Sequence, residues 1–312
     1  MIKKALIAGL VFIALFQSGM FLFISPLPLF YAYAVYGKRV GYFSVLTVLV
    51  ASCVAAIAGY VGAYELLFAG YFVMTGVLLG ESVSRKLGAM KMAGLAIFVP
   101  FLVTIGGVFV MQVGGVNVIA GVRGFLTSAL NDALAMQAKM EALSAPQLAY
   151  VREHLEEIIT FTMRILPALI FTLCLSVVSL TMLLGRVFTK KTGVLKYFGN
   201  IAMQQFPFEI VWVTIACGLA FFAEAYLWHN VYLKYLAING LICLACVYFV
   251  QGCFVISFWL HKGRSPFMRL VVYGLIILFL QVFGFLVIAL GLSDQWFNFR
   301  VQKKLRGTPQ TM

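Results

Sequence analysis

The chain has 312 residues, of which 63% are hydrophobic and 11% are charged, and 23 Lys and Arg against 10 Asp and Glu give it a net charge of +13. Soluble domains are about half apolar and about a quarter charged, so this chain has too few charged side chains to cover a surface that faces water. The composition excludes a soluble globular enzyme, a disordered tail and a fibrous repeat. It predicts an all-α polytopic membrane protein, because helices satisfy their own backbone hydrogen bonds in lipid.

Segments that could cross a bilayer recur along the whole chain. A transmembrane helix needs about 20 mostly apolar residues, and about eight segments meet this condition: 5–25, 42–62, 65–81, 92–112, 163–185, 208–228, 236–259 and 270–291. The first is interpreted as a retained anchor, because its apolar run is longer than that of a signal peptide and no A-x-A site follows it. The segment 27–36 is too short to cross, and we predict that it is either interfacial or an extension of the first helix.

One long connection, 113–160, interrupts a single membrane domain that covers 1–312, and we predict that it forms an extramembrane helical hairpin. Apolar residues recur at helical spacing in the first half of this connection. Ser144 and Gln147 then form a capping box that predicts a second helix from 145 to 184. The charged start of that helix is either a solvated face or a lid or docking surface.

Basic residues concentrate in four loops that pairs of spans separate, which places all four on one side of the membrane. They are Lys38 and Arg39; Arg85, Lys86 and Lys91; Arg186, Lys190, Lys191 and Lys196; Lys262, Arg264 and Arg269. The positive-inside rule predicts that this side is cytoplasmic and that the charge faces a lipid surface instead of nucleic acid. Eight crossings would put both termini on the opposite side, yet the predicted C-terminal tail, 292–312, is itself basic.

Acidic side chains at membrane depth are costly and mark functional sites. Glu209 and Glu224 lie 15 residues apart in one span, about 60° around a helix, with Gln205 and Trp212 near Glu209 on the same predicted face. We predict either solute binding or headgroup contact for the two carboxylates. Arg164 enters the preceding span and is predicted either to pair with one of them or to extend to the interface.

Two amides in the next span, Asn239 and Gln251, lie 12 residues apart, about 120° around a helix. They therefore cannot share one narrow site, and each is a candidate either for solute binding or for a hydrogen bond between helices. Gln281, in the last predicted span, is interpreted as another bridging amide.

Motifs for catalysis are absent from the sequence. It contains no H-E-x-x-H, no G-x-S-x-G, no Walker lysine loop and no dinucleotide-binding glycine pattern. The six cysteines lie in apolar stretches, and the three histidines are not at ligand spacing. The sequence predicts no metal, no cofactor and no enzymatic activity.

Five stretches of the chain resemble the YybS-like family of predicted bacterial membrane proteins, a family of unknown function. They are SPLPLFYAYAVYGKRVG (25–41), RILPALIF (164–171), QQFPFEIVW (204–212), INGLICLACVYFVQG (238–252) and LGLSDQWFNFR (290–300). The most specific of them is the tail motif around Asp294, Trp296, Phe299 and Arg300. The resemblance implies a multi-pass protein of the bacterial inner (cytoplasmic) membrane. It also implies a distant, fold-level similarity to the substrate-binding subunits of energy-coupling-factor transporters.

The tail motif has a physical interpretation of its own. Trp296, Phe297 and Phe299 are predicted to anchor at the interface and Arg300 to face phosphates, while Asp294 could cap the helix or pair with Arg300.

The sequence thus favours a substrate-binding or transport-associated membrane subunit that lacks its own ATPase and depends on an ATPase coupling module. Its small-molecule substrate would lie among the fifth to seventh spans. The alternative is a membrane scaffold that recruits partners through the hairpin and the tail. Polar residues that converge on one cavity would favour the first function, and polar residues in helix seams would favour the second.

Overall fold

The computed structural model describes residues 1–140, 144–190, 192, 194, 203–261 and 266–300, and these residues form helices and turns without a strand. Six of the helices are long and apolar enough to cross a membrane. They contain Lys38–Ile57, Ala89–Val113, Leu155–Phe188, Glu209–Leu227, Val231–Leu260 and Leu280–Phe297, and two shorter apolar segments cover Leu22–Tyr36 and Phe68–Ser84. The prediction of an all-α polytopic membrane protein is confirmed, with six full-length spans among the described residues where the sequence predicted about eight.

The helices are numbered in chain order. They are α1 (Ile2–Gln17), α2 (Pro26–Tyr36), α3 (Lys38–Ile57), α4 (Ala63–Ser84), α5 (Ala89–Val113), α6 (Val118–Lys139), α7 (Ala145–Glu153), α8 (Leu155–Phe188), α9 (Glu209–Ala223), α10 (Val231–His261), α11 (Pro266–Leu278) and α12 (Leu280–Phe297). A 3-10 turn (Leu22–Ile24) precedes α2, and a π-helical turn (Glu224–Trp228) extends α9.

The predicted first span, 5–25, is wrong because the helix ends at Gln17. Gly19 then adopts the left-handed conformation (φ 65°), which ends a helix at little cost for glycine. The chain turns back and enters α2, which is neither an interfacial segment nor an extension of the first helix. Leu29, Phe30 and Tyr33 are buried on α2, so this short helix is part of the core.

Small residues let α2 lie deep between its neighbours. A Cβ at Gly41 on α3 or at Gly80 on α4 would overlap the ring of Tyr33, and a Cβ at Gly185 on α8 would lie 2.6 Å from Phe30. Close approach of this kind is the usual role of small residues between membrane helices. The N-terminal half therefore packs α1, α3, α4 and α8 around α2.

Side-chain contacts fix the relative directions of the later helices. Residue numbers rise together in the contacts between α8 and α10, so these two helices are parallel; the contacts are Arg164–Tyr235, Ala168–Asn239 and Thr172–Cys246. In the contacts between α9 and α10, residue numbers rise along one helix while they fall along the other, so these two helices are antiparallel. The contacts are Thr214–Tyr248 and Cys217–Gly240. The ends of α8 and α10 and the start of α9 therefore lie at one end of the bundle.

The predicted last span, 270–291, is wrong in position, because Phe279 separates α11 from α12 and the span is Leu280–Phe297. α11 starts shortly after α10 ends, and Tyr273 donates a hydrogen bond to the Cys253 carbonyl (3.4 Å). The ring of Phe299, just beyond α12, lies 5.9 Å from that of Trp259 near the end of α10. α11 and α12 therefore form a V whose two outer ends lie at the same end of the bundle.

We call this end of the bundle the basic end. The Lys38 ammonium lies 2.7 Å from Glu81 near the end of α4, and Lys86, Thr192 and Lys38 line one cleft. The Lys4 ammonium lies 4.3 Å from the centre of the Tyr36 ring, which places the start of α1 here as well.

The start of α1 and the last described residue, Arg300, both lie at the basic end, contrary to the topology that eight full crossings implied. The difference arises because 2–36 and 266–297 each form two helices where the sequence predicted one span. Several predicted basic loop and tail residues lie outside the described residues: Lys191, Lys196, Lys262, Arg264, Lys303, Lys304 and Arg306.

The connection 113–160 contains α6, α7 and the start of α8 at the opposite end of the bundle. The capping box is confirmed, since Gln147 Oε1 accepts from the Ser144 backbone N–H (3.0 Å) and hydroxyl (2.9 Å). The predicted continuous helix 145–184 is broken at His154, which separates α7 from α8. Arg123 on α6 forms an exposed ion pair with Glu156 on α8, so the two sides of the hairpin are in contact.

Candidate functional site

The candidate site lies where α10 and α12 touch near the basic end. A Cβ at Gly291 on α12 would overlap the carbonyl oxygen of Tyr248 on α10. A Cβ at Gly252 on α10 would overlap the carbonyl oxygen of Val287 on α12. The two backbones are therefore as close as glycine allows. This approach brings polar side chains at Gln251 and Asp294 into direct contact inside the protein.

Asp294 and Arg300 form an ion pair that is almost completely buried, with side chains 0% and 2% exposed. The pair was one of the alternatives for the tail motif, whereas Arg300 does not face phosphates. The Phe299 backbone N–H donates to Asp294 Oδ1 (3.2 Å), and Arg300 Nη1 donates to the Gln204 carbonyl. Burying two charges is tolerable only because each is paired and hydrogen-bonded.

Gln251 links this ion pair to two further segments. Its Nε2 donates to Asp294 Oδ2 (3.0 Å), while its Oε1 accepts from the Phe206 backbone N–H (3.0 Å) and from Gln295 Nε2 (3.3 Å). Gln205 adds a bond from its Nε2 to the Asp294 carbonyl (3.3 Å). We call Gln205, Gln251, Asp294, Gln295 and Arg300 the polar cluster; it joins the segment before α9 to α10 and α12.

The chain reverses at Asn298, which is what brings Arg300 back to Asp294. Asn298 has a φ of 43° and its backbone N–H bonds the Asp294 carbonyl (3.1 Å). Asparagine tolerates this left-handed conformation better than most residues. The asparagine after the last helical turn is the sequence signal for this reversal, which the sequence analysis alone does not predict.

Aromatic residues surround the polar cluster. Trp296, more than half exposed, contacts Phe208 edge to face with 6.4 Å between ring centres, and the Phe299 ring packs against Trp259. An exposed indole beside buried charges suits the boundary between lipid and water.

Arg164 does not pair with Glu209 or Glu224. Its guanidinium is exposed, donates to the Tyr235 hydroxyl (2.7 Å) and lies 4.6 Å from the centre of the Tyr235 ring. A cation over an aromatic face is stabilised by the ring quadrupole. The predicted carboxylate partner is therefore wrong, because a tyrosine on the parallel helix α10 is closer.

Asn239 supplies hydrogen bonds to the backbone of α8 next to a proline. Pro167 disrupts the helical hydrogen bonds around it, and the Asn239 carboxamide bonds the Ala168 N–H (Oδ1, 2.9 Å) and the Arg164 carbonyl (Nδ2, 2.9 Å). In a regular helix these two backbone groups would bond each other. Asn239 therefore bridges α8 and α10.

We expect Asn239→Ala to lower the free energy of unfolding by about 1–3 kcal/mol, because it leaves the backbone N–H of the buried Ala168 without its side-chain partner. The measurement is denaturant unfolding of the purified protein in mild detergent. Gln281→Ala is the matched control, since Gln281 is an exposed amide on α12. Equal effects of the two substitutions would contradict the bridging role.

The other predicted site residues are not brought together. Glu209 and Trp212 are exposed at the start of α9, Glu224 is half-buried at its far end, and Gln205 precedes the helix and joins the polar cluster instead. Among the described residues neither glutamate side chain accepts a hydrogen bond. The described part of the chain contains no group of three or more His, Cys, Asp or Glu side chains that could hold a metal ion.

The family model described as "Predicted membrane protein (DUF2232)" matches residues 5–295. The chain belongs to this family. The match to the DUF2232 family includes Gln251 and Asp294 of the polar cluster, whereas Arg300 lies beyond its last matched residue. Comparisons with curated proteins and with solved structures give no match.

Proposed function

We propose that the protein is a membrane scaffold that holds partner proteins and has no energy source of its own. The observation that carries this proposal is that Asn239, Gln251 and Asp294, three polar residues within the spans, bond other side chains or backbone groups in helix seams. Asn239 bridges α8 and α10, and the polar cluster joins α10 to α12. A solute site would need such groups to converge on a cavity.

Two cavities support the same interpretation. A small one of about 50 Å³ lies between α1, α3 and α4, and a cleft of about 480 Å³ opens at the basic end. Neither is lined by Glu209, Glu224, Asn239 or Gln251. Asn239 and Gln251 have structural partners and Glu209 is exposed, while Glu224 is half-buried and lines neither cavity.

The hairpin supplies an uncovered surface. α6 buries only Val118 and Leu134 among its described residues, and Phe125 is 72% exposed. Phe125, Met136 and Met140 fall within about 60° of one another around the helix axis, at about 100° per residue. We call these three the hairpin surface; an exposed group of large apolar side chains is typical of a contact with another protein.

The position of the hairpin determines which partners can reach it. We propose that the basic end faces the cytoplasm of a bacterium and that the protein lies in the inner membrane, in line with the positive-inside rule. The hairpin, at the opposite end, would then meet partners on the outer side of that membrane. A cytoplasmic ATPase module could contact only the basic end.

We expect Phe125→Ala/Met136→Ala to reduce the amount of partner that co-purifies by about tenfold or more, because truncation of apolar contact residues often costs over 1 kcal/mol each. The measurement is quantitative mass spectrometry after purification of the tagged protein from its native membrane. Phe285→Ala/Leu286→Ala is the control, since it removes exposed apolar area from α12. An unchanged set of partners in the hairpin variant would contradict the proposal.

A transport-associated subunit is the second candidate, and the π-helical turn that begins at Glu224 favours it. Turns of this type occur frequently at functional sites. The resemblance to the YybS-like family and to energy-coupling-factor subunits points in the same direction. A stoichiometric metabolite that co-purifies with the protein and is lost in Glu224→Gln would support this candidate over the scaffold.

A further inference from the structure

We propose that the cleft at the basic end binds the phosphate group of an anionic phospholipid. The cleft has a volume of about 480 Å³ and lies between the α2–α3 turn, the end of α4 and the segment after α8. We call it the basic cleft, and its polar walls include Tyr33, Lys38, Ser84 and Lys86. This inference is independent of the scaffold proposal.

The charge around the basic cleft favours an anion. Lys38 and Arg85 share the single carboxylate of Glu81, at 2.7 and 3.0 Å. Lys86 lines the cleft, is exposed and forms no ion pair with a described residue. Three cations therefore face one carboxylate, and the surplus positive charge is available to a phosphate.

Tyr33 gives the basic cleft a hydrogen-bond donor that the protein leaves unused. Its side chain is 1% exposed, and its hydroxyl oxygen is buried without a hydrogen-bond partner among the described residues. The ring is held between Gly41 and Gly80, so it cannot rotate outward to reach water. A buried hydroxyl without a partner is costly, and a phosphate oxygen would accept its hydrogen bond once binding in the cleft had moved the walls enough to expose the hydroxyl.

The backbone at Lys86 adds a further observation. Lys86 has a φ of 58°, a left-handed conformation that is unfavourable for a residue with a Cβ. The Lys86 N–H bonds the Val83 carbonyl (2.9 Å) and the Leu87 N–H bonds that of Ser82 (3.0 Å), so this conformation ends α4 in a Schellman motif beside the cleft. The turn thus carries a cationic side chain at a position where glycine would be less strained.

The remaining walls of the basic cleft favour a lipid over free phosphate. Ala34, Val35, Val83 and Val194 add apolar surface to the walls that also carry the two lysines. A phospholipid offers both a phosphate and apolar carbon, whereas inorganic phosphate offers only the first. Basic pockets between transmembrane helices on the cytoplasmic side are known to bind anionic headgroups.

The test compares thermal unfolding of the full-length protein in neutral detergent alone and with added phosphatidylglycerol, phosphatidylcholine or inorganic phosphate. We expect only phosphatidylglycerol to raise the unfolding temperature. Lys86→Gln should weaken the apparent phosphatidylglycerol affinity roughly fivefold, since one basic residue near an anionic surface contributes about that factor. Tyr33→Phe keeps the packed ring and should also weaken binding.

Two comparisons separate a specific site from general attraction. Lys91→Gln removes one exposed positive charge at the same end, outside the cleft walls, and should keep the wild-type shift. Tyr33→Phe should not lower the unfolding temperature in neutral detergent, because the hydroxyl has no partner to lose. Full shifts in Lys86→Gln and Tyr33→Phe, or an equal loss in Lys91→Gln, would overturn the proposal. The same shift with inorganic phosphate alone would overturn its assignment to a lipid.

Discussion

Asp294→Ala is expected to lower the free energy of unfolding by about 3–5 kcal/mol, the range found when one partner of a buried ion pair is removed. The substitution leaves the guanidinium of Arg300, 2% exposed, without its carboxylate. It also removes acceptors from Gln251 and from the Phe299 backbone N–H. The contacts that join α10, α12 and the segment before α9 would loosen together. The measurement is denaturant unfolding in mild detergent with a probe of secondary structure.

Glu209→Ala is the matched control for Asp294→Ala, because it removes an exposed carboxylate near the same end of the bundle. We expect a change within about 0.5 kcal/mol, as for most exposed positions. The double variant Asp294→Leu/Arg300→Met should recover much of the loss, since replacing both partners of a buried ion pair with apolar groups is often neutral. A double variant as unstable as Asp294→Ala would show that the isolated charge is not the cause.

Gly291→Leu should destabilise the protein by more than about 3 kcal/mol, at or beyond the usual range for overpacking in a core. Even the Cβ would overlap the Tyr248 carbonyl oxygen, which belongs to the backbone and cannot rotate away. α12 would have to move away from α10, and the bond from Gln251 to Asp294 would break. The same unfolding measurement detects the effect.

Gly274→Leu provides the comparison for Gly291→Leu, because it introduces the same side chain on α11, where a Cβ would meet no atom within 4 Å. We expect the control to remain near wild-type stability. If both substitutions destabilise equally, the effect comes from leucine in this part of the chain and not from the contact between α10 and α12.

Composition and hydropathy predicted the fold class, because a membrane-embedded chain must place apolar side chains around its helices. They could not predict α2, whose 11 residues are too few to cross but are buried by protein. Hydropathy measures how well a segment tolerates a dry environment and does not distinguish lipid from neighbouring helices. The turn at Gly19 shows the same limit, since one residue with a positive φ divides an apolar run of spanning length.

Several residues of the candidate site could be predicted from the sequence, but the contacts between them could not. The tail motif and Gln251 were singled out as separate features, and the ion pair of Asp294 with Arg300 was one open alternative. Their contact depends on the chain reversal at Asn298 and on the close approach at Gly291. The sequence leaves Asn239 open between solute binding and a bond between helices, because its bonds to Ala168 and Arg164 depend on the local break at Pro167 and on the parallel arrangement of α8 and α10.

The position of Lys4 beside Tyr36 has a consequence for biosynthesis. With the basic end in the cytoplasm, as proposed above, Lys3 and Lys4 would not have to be translocated, because α1 and α2 leave the basic end and return to it. The first 36 residues can enter the membrane as a loop, with α1 and α2 inserted together. Lys3 and Lys4 would then remain in the cytoplasm, where the chain is synthesised.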